Sequence, residues 1–222
     1  MNRTQICQQW QNKITTIAKE LGRLLMSKQI FNETVEIIFK DDKLYSPPIF
    51  LNWLTANYVG TIGAGIKRLA DQYSRKKYNT LSMLILLNEV KENHTLITRS
   101  KWIAEYPNFI PEDSKNETFN MFANKDSEYI DVSLLQDDIK KIKTKTKYVM
   151  YYADKWIAHF DLTRDPKQAP YIYKFGEVLE FLDPIVCKYH LLLAGSDLSG
   201  TCKPVFNYNW KSPLKHAWIK DK

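Results

Sequence analysis

Trp10, Ile14, Ile17, Leu21, Leu24 and Phe31 recur at intervals of three and four with one longer step, the spacing that turns one face of a helix inward. A chain that begins this way must bury a long helical stripe against partners of the same kind. The pattern runs to about Phe39. The Lys40-Asp41-Asp42-Lys43 run and Pro47-Pro48 end it, because proline restricts both its own backbone and that of the residue before it. The same spacing predicts a second helix from about Ile49 to Tyr73 and a short apolar third from Leu81 to about Val90, capped by Asn79-Thr80. A further helix is expected over His94 to Tyr106. Ser133-Leu134-Leu135-Gln136 fits a capping box and opens a fourth major helix expected to reach Phe160. A fifth, Tyr173 to Ala194, stops at Gly195 and carries Pro184 as a kink.

With 222 residues, of which only 7 are Gly and 44% are hydrophobic, the chain is long enough to enclose one core. No run alternates apolar and polar residues over a strand length, and no internal repeat is present. The expected fold is therefore all-α, an antiparallel four- to five-helix bundle over residues 1–195. The stretch of about 107–131 reads as an irregular insertion, too long for a bundle turn. Residues 196–222 have aromatic side chains without a period and read as a tail that docks on the bundle or on a partner.

No run approaches the roughly 18 consecutive apolar residues of a membrane span, and the N-terminal residues enter a polar amphipathic pattern directly. A cytoplasmic protein with no membrane partner is the expectation. Cys7, Cys187 and Cys202 are odd in number, lie far apart in sequence and show no paired metal spacing, so reduced thiols are expected. His94, His190 and His216 have no carboxylate or cysteine at ligand spacing, so neither a metal site nor a cofactor is expected. Gly60-Thr61-Ile62-Gly63-Ala64-Gly65 fits neither phosphate-loop nor dinucleotide spacing, and close helix approach explains it better. The formal charge is +7, and 26 of the 32 cations are Lys, which favours an acidic partner such as RNA, DNA or a nucleotide.

Around the fourth helix, at about 100° per residue, Ile139, Ile142, Val149, Ala153 and Phe160 share an apolar face. Tyr148, Tyr152, Lys155 and His159 form a stripe beside it. Lys140, Lys141, Lys143, Lys145 and Lys147 lead up to that stripe. Packing aromatics and a solvated Lys face explain most of this pattern, and the His is the one group in it suited to proton transfer.

Two blocks carry a resemblance to a known family. One is Ile66-Lys67-Arg68-Leu69-Ala70-Asp71 followed by Asn79-Thr80-Leu81-Ser82-Met83-Leu84. The other is Ala153-Asp154-Lys155-Trp156-Ile157-Ala158-His159-Phe160-Asp161. With the bundle between them, over roughly residues 5 to 195, the chain resembles the HEPN superfamily and in particular its abortive-infection, Abi-U-type branch. The resemblance implies a four- to five-helix bundle, commonly a homodimer. Active members are metal-independent endoribonucleases of phage-defence and toxin–antitoxin systems, the latter with an antitoxin-like protein partner. RNA carries its own nucleophile in the 2′-hydroxyl, so such an enzyme need only move protons and stabilise charge on the phosphate.

The family motif is Arg, a polar residue, a short spacer and His. Asp154 matches the polar position and His159 the His, while Ala153 stands where Arg belongs. Loss of that cation is expected to cost on the order of a hundredfold in rate, by analogy with removal of a charge-stabilising donor. The resemblance thus implies His159 as the proton-transfer group, Asp154 as the residue that orients the site and Lys155 as a substitute point charge. Lys67, Arg68 and Tyr152 are the expected RNA contacts. The alternative is a non-catalytic HEPN module that dimerises or binds RNA, a nucleotide or a protein partner.

Overall fold

The computed structural model describes residues 2–40, 48–72, 80–106, 109–158, 169–205 and 209–212. Seven α-helices lie within them: α1 Arg3–Lys40, α2 Pro48–Ala70, α3 Met83–Glu92, α4 Arg99–Glu105, α5 Glu112–Phe119, α6 Val132–Tyr152 and α7 Ile172–Ala194. A 3-10 turn, His94–Leu96, precedes α4, and a π-helical turn, Ala153–Ala158, follows α6. Among the described residues the sole β-type pairing is a bridge between Thr98 and Tyr129. The chain is an all-α bundle, and no helix among the described residues is long and apolar enough to cross a membrane.

Side-chain pairs fix the directions of the long helices. Lys28 of α1 meets Glu180 near the start of α7, while Arg3 and Cys7 sit beside Leu192 and Leu193 near its end, so α1 and α7 are antiparallel. Phe31 stacks on Tyr58 and Glu20 pairs with Arg68, which makes α1 and α2 antiparallel too. Asp138 with Tyr189 and Tyr152 with Phe175 do the same for α6 and α7. The core between them contains Trp10, Ile14 and Leu21 of α1, Ile62 and Ile66 of α2, Leu86 and Leu87 of α3, Ile142 and Val149 of α6, and Leu179, Leu182 and Val186 of α7. Only the first two-thirds of α1 is buried, ending at Leu25.

The helix starts differ from the sequence expectation in an instructive way. Ser82, not Asn79-Thr80, caps α3, its hydroxyl accepting from the Ile85 N–H at 3.1 Å. Asp131, not Ser133, caps α6, and its carboxylate accepts from both the N–H and the hydroxyl of Ser133 at 2.7 Å. In each case a short polar side chain two residues away competed for the same role. The pattern over His94 to Tyr106 is split at Ile97, whose extended backbone separates the 3-10 turn from α4.

The larger correction concerns the stretch read as an irregular insertion. It holds α5, and Phe119, Phe122, Ala123 and Ile130 from it are buried in the common core. Arg99 fastens it: Nε donates to the Ser127 carbonyl at 2.8 Å, Nη1 to the Asn116 carbonyl at 3.1 Å and Nη2 to Asn120 Oδ1 at 2.9 Å. The guanidinium also lies 4.7 Å from the centre of the Phe119 ring. Lys115, 6% exposed, donates to the carbonyls of Ile103 and Tyr106 and so caps the C-terminal end of α4. A polar sequence here conceals a packed unit because its apolar residues are few and widely spaced.

Candidate functional site

The hydrogen-bonding pattern of α6 changes after Tyr152. Instead of running on as α-helix to Phe160, the chain enters the π-helical turn Ala153–Ala158, a wider coil that is rare and often found at functional positions. The rotation of 100° per residue used to place Lys155 therefore no longer applies beyond Ala153. Ala153 itself is buried, 1% exposed, as its place on the apolar face requires. His159 lies outside the described residues, as do Arg75, Lys76, Lys77 and His216.

Two glycine contacts explain how this turn sits against its neighbours. A Cβ on Gly63 would come 2.6 Å from Ile157 Cδ1 and 3.2 Å from Phe175 Cε1, so the π turn and α7 both approach α2 at that point. Leu24 of α1 occupies the corresponding space at Gly65. Gly60 has nothing near it, so close helix approach accounts for two of the three glycines of the cluster. Tyr152 stacks on Trp156 at 5.6 Å with ring planes 8° apart, and meets Phe175 edge-on. Its ring is thus a packing element of the site's floor.

Lys67, at the end of α2, forms an ion pair with Asp154 of the π turn. Their side chains are 31% and 46% exposed, so the pair sits at a wet margin where ion pairs are weak. Arg68, the next residue, turns to α1 and is held by Glu20. The fold thus brings Lys67, Asp154 and the Tyr152 ring into one locality, with Lys155 half-buried in the same turn, while it directs Arg68 towards a different helix.

Next to this locality, Lys140, Lys141, Lys143, Lys145 and Lys147 are all exposed along α6, followed by exposed Tyr148. Lys140, Lys143, Lys147 and Tyr151 follow at three- and four-residue steps, a single ridge on the helix surface. Lys141 is partly answered by Asp138 at 3.6 Å. Such a ridge offers cations for phosphates and ring faces for bases.

A second cluster is invisible in the sequence. The Sγ atoms of Cys187 and Cys202 stand 3.8 Å apart, and the Asp183 carboxylate lies beside both, every ligand atom being within 4.8 Å of the others. This corrects the reading of widely separated thiols: the two cysteines are 15 residues apart in sequence, and the chain folds back after α7, where Gly195 takes the left-handed conformation at φ 65°. Burial pushes both thiols up from their ordinary values. His190, by contrast, is buried with Nδ1 against the Ser196 carbonyl at 3.0 Å, and His94 Nδ1 lies 3.1 Å from the Lys91 carbonyl. The chain matches no protein-family model, no curated protein and no solved structure.

Proposed function

We propose that this chain is a HEPN-like protein that acts on RNA, with the α6 ridge and the π turn as its RNA-facing surface. The observation that carries the reading is the continuity of that surface. Five exposed lysines on α6 run into Tyr148 and then into the turn that holds Asp154 and Lys155. Lysines supply the salt-dependent attraction for a phosphate backbone, and aromatic faces supply stacking for unpaired bases.

In the catalytic form of the reading, His159 transfers protons to and from the 2′-hydroxyl and the leaving oxygen. Asp154 orients the turn through Lys67, and Lys155 provides charge at the phosphate. The buried Ala153 and the carboxylate partners of Lys67 and Arg68 favour a second reading, a module that binds RNA or dimerises without cutting. Both place RNA on the same ridge.

One experiment separates them. The purified chain is incubated with single-stranded RNA in the presence of a chelator, and both bound and cleaved RNA are measured. The catalytic reading expects fragments ending in a 2′,3′-cyclic phosphate that disappear in His159→Ala while binding persists. Intact RNA bound equally by the wild type and His159→Ala establishes the binding module. Absence of RNA binding at low salt overturns both.

A further inference from the structure

We propose that Asp183, Cys187 and Cys202 form a binding site for one thiophilic divalent cation of the zinc class, and that the cation fastens the C-terminal segment to α7. The inference does not rest on the RNA reading. Asp183 and Cys187 are four residues apart on one face of α7, and Cys202 arrives opposite them from the segment that folds back after Gly195. Two thiolates on a tetrahedral zinc, each at about 2.3 Å from the ion, stand about 3.8 Å apart. The separation of Cys187 and Cys202 sulfurs is 3.8 Å, and Asp183 Oδ1 lies 3.8 Å from the Cys187 sulfur.

Two thiols in simple contact reach a similar distance, so the third ligand and its support decide the matter. The Asp183 carboxylate is held at both oxygens: Oδ2 accepts from the Thr201 hydroxyl at 2.6 Å and Oδ1 from the Cys202 N–H at 2.7 Å. Oδ2 keeps a lone pair, and the one on Oδ1 that accepts from the Cys187 thiol is freed when that thiol becomes a thiolate. Ligating carboxylates are oriented in this way by outer hydrogen bonds in established metal sites. On the other side, the Cys202 carbonyl stands 2.5 Å from where a Gly22 Cβ would be, so the segment reaches this depth because α1 carries glycine there.

The donor set selects the metal class. Two sulfurs and one carboxylate oxygen suit zinc, cobalt or cadmium and disfavour magnesium and calcium. The fourth position faces solvent, since Asp183 and Cys202 are only half-buried. Cysteine binds such a cation as the thiolate, so loading the site releases two protons per cation as the two S–H bonds become metal–sulfur bonds. Affinity therefore rises with pH.

The test uses the full chain, reduced and stripped of metal, titrated with cobalt(II) alone. The expected result is one equivalent of cobalt, a sulfur-to-cobalt charge-transfer band, displacement by zinc but not by magnesium, and release of two protons. Cys187→Ser or Cys202→Ser should weaken binding by about a hundredfold or more, and Thr201→Val by about tenfold, while Cys7→Ser leaves it unchanged. Thr201→Val spares both sulfurs and tests the site even where a cysteine variant fails to fold. The proposal is overturned by reduced, helical protein that shows no thiolate band at saturating cobalt. It is equally overturned by a band that survives in folded Cys187→Ser and Cys202→Ser.

Discussion

Lys67 of α2 and Asp154 of the π turn are ion-paired across the bundle, 87 residues apart in sequence. The carboxylate answers a cation beside the candidate RNA surface, so it tempers the positive charge that surface shows. Asp154→Asn should tighten binding of single-stranded RNA severalfold and steepen the dependence of log affinity on log salt by about 0.7, one added phosphate contact. Lys67→Ala leaves the Asp154 carboxylate unanswered and should weaken RNA binding severalfold, while changing stability by less than about 1 kcal/mol, the range of exposed pairs. Fluorescence anisotropy over a salt series measures the first effect and thermal denaturation the second. Unchanged RNA binding and salt dependence in Asp154→Asn would remove the π turn from the binding surface.

Deeper in the fold, Asp138 is the polar anchor between α6 and α7. Its carboxylate accepts from the Tyr189 hydroxyl at 2.9 Å and from Lys188 Nζ at 2.8 Å, with its side chain 11% exposed. Burial and the adjacent carboxylate push the Tyr189 hydroxyl far above its ordinary pKa, so it stays a donor at all working pH values. Asp138→Ala leaves a buried hydroxyl and a half-buried ammonium without their partner. The expected loss is about 3 kcal/mol. Urea denaturation should show the midpoint falling with an unchanged slope.

The bundle was legible in the sequence wherever one apolar stripe persisted for several turns. Trp10 to Leu24, Ile62 to Leu69 and Phe175 to Val186 all read correctly because burial on one side imposes a period that charged neighbours cannot hide. Three features did not announce themselves. Phe119 and Phe122 lie in a polar stretch whose burial depends on Arg99, a residue 20 positions away from Phe119. The π turn at Ala153 carries Ile157 onto Gly63, a long-range contact that leaves no local pattern. Cys187 and Cys202 meet only because the chain reverses at Gly195, and sequence spacing says nothing about such a return. Within the candidate site, the sequence could not place Lys67 or Arg68, and the fold sends the first to Asp154 and the second to Glu20, partners no motif could supply.

The integration of α5 into the core has a direct consequence for truncation and mutation. Phe119 is fully buried and contacts the Trp102 ring at 5.6 Å between centroids. A dispensable surface insertion would tolerate Phe119→Ala. Here the substitution opens a cavity beneath Trp102, whose Nε1 donates to the Leu192 carbonyl at 3.1 Å, and removes the ring beneath Arg99. The expected cost is about 3–5 kcal/mol, read as a drop of roughly 6–20 °C in melting temperature for a chain of this size. A drop of less than about 2 °C would mean that the α4–α5 unit folds independently of the bundle.

The cap of α6 gives the fold an acid-sensitive joint. Hydrogen bonds from the Ser133 hydroxyl, then from its backbone N–H, hold the Asp131 carboxyl below its usual value. Asn124 Nδ2 donates to the other oxygen at 3.0 Å, so the cap also ties the end of the α5 segment to the start of α6. A carboxylate whose folded pKa is depressed stabilises the fold above its unfolded pKa of about 3.9, and that stability is lost as pH falls through the lower folded value. Asp131→Asn keeps a good cap but removes the charge from the helix N-terminus, where it contributes about 0.3–1 kcal/mol at an exposed position. The wild type should therefore melt about 1–4 °C above Asp131→Asn at pH 7. The gap should close as pH falls through the lowered folded pKa of the carboxyl, where it takes up its proton and both side chains are neutral. A gap that persists unchanged at pH 2 would show that the charge of Asp131 has no part in holding α6 in place.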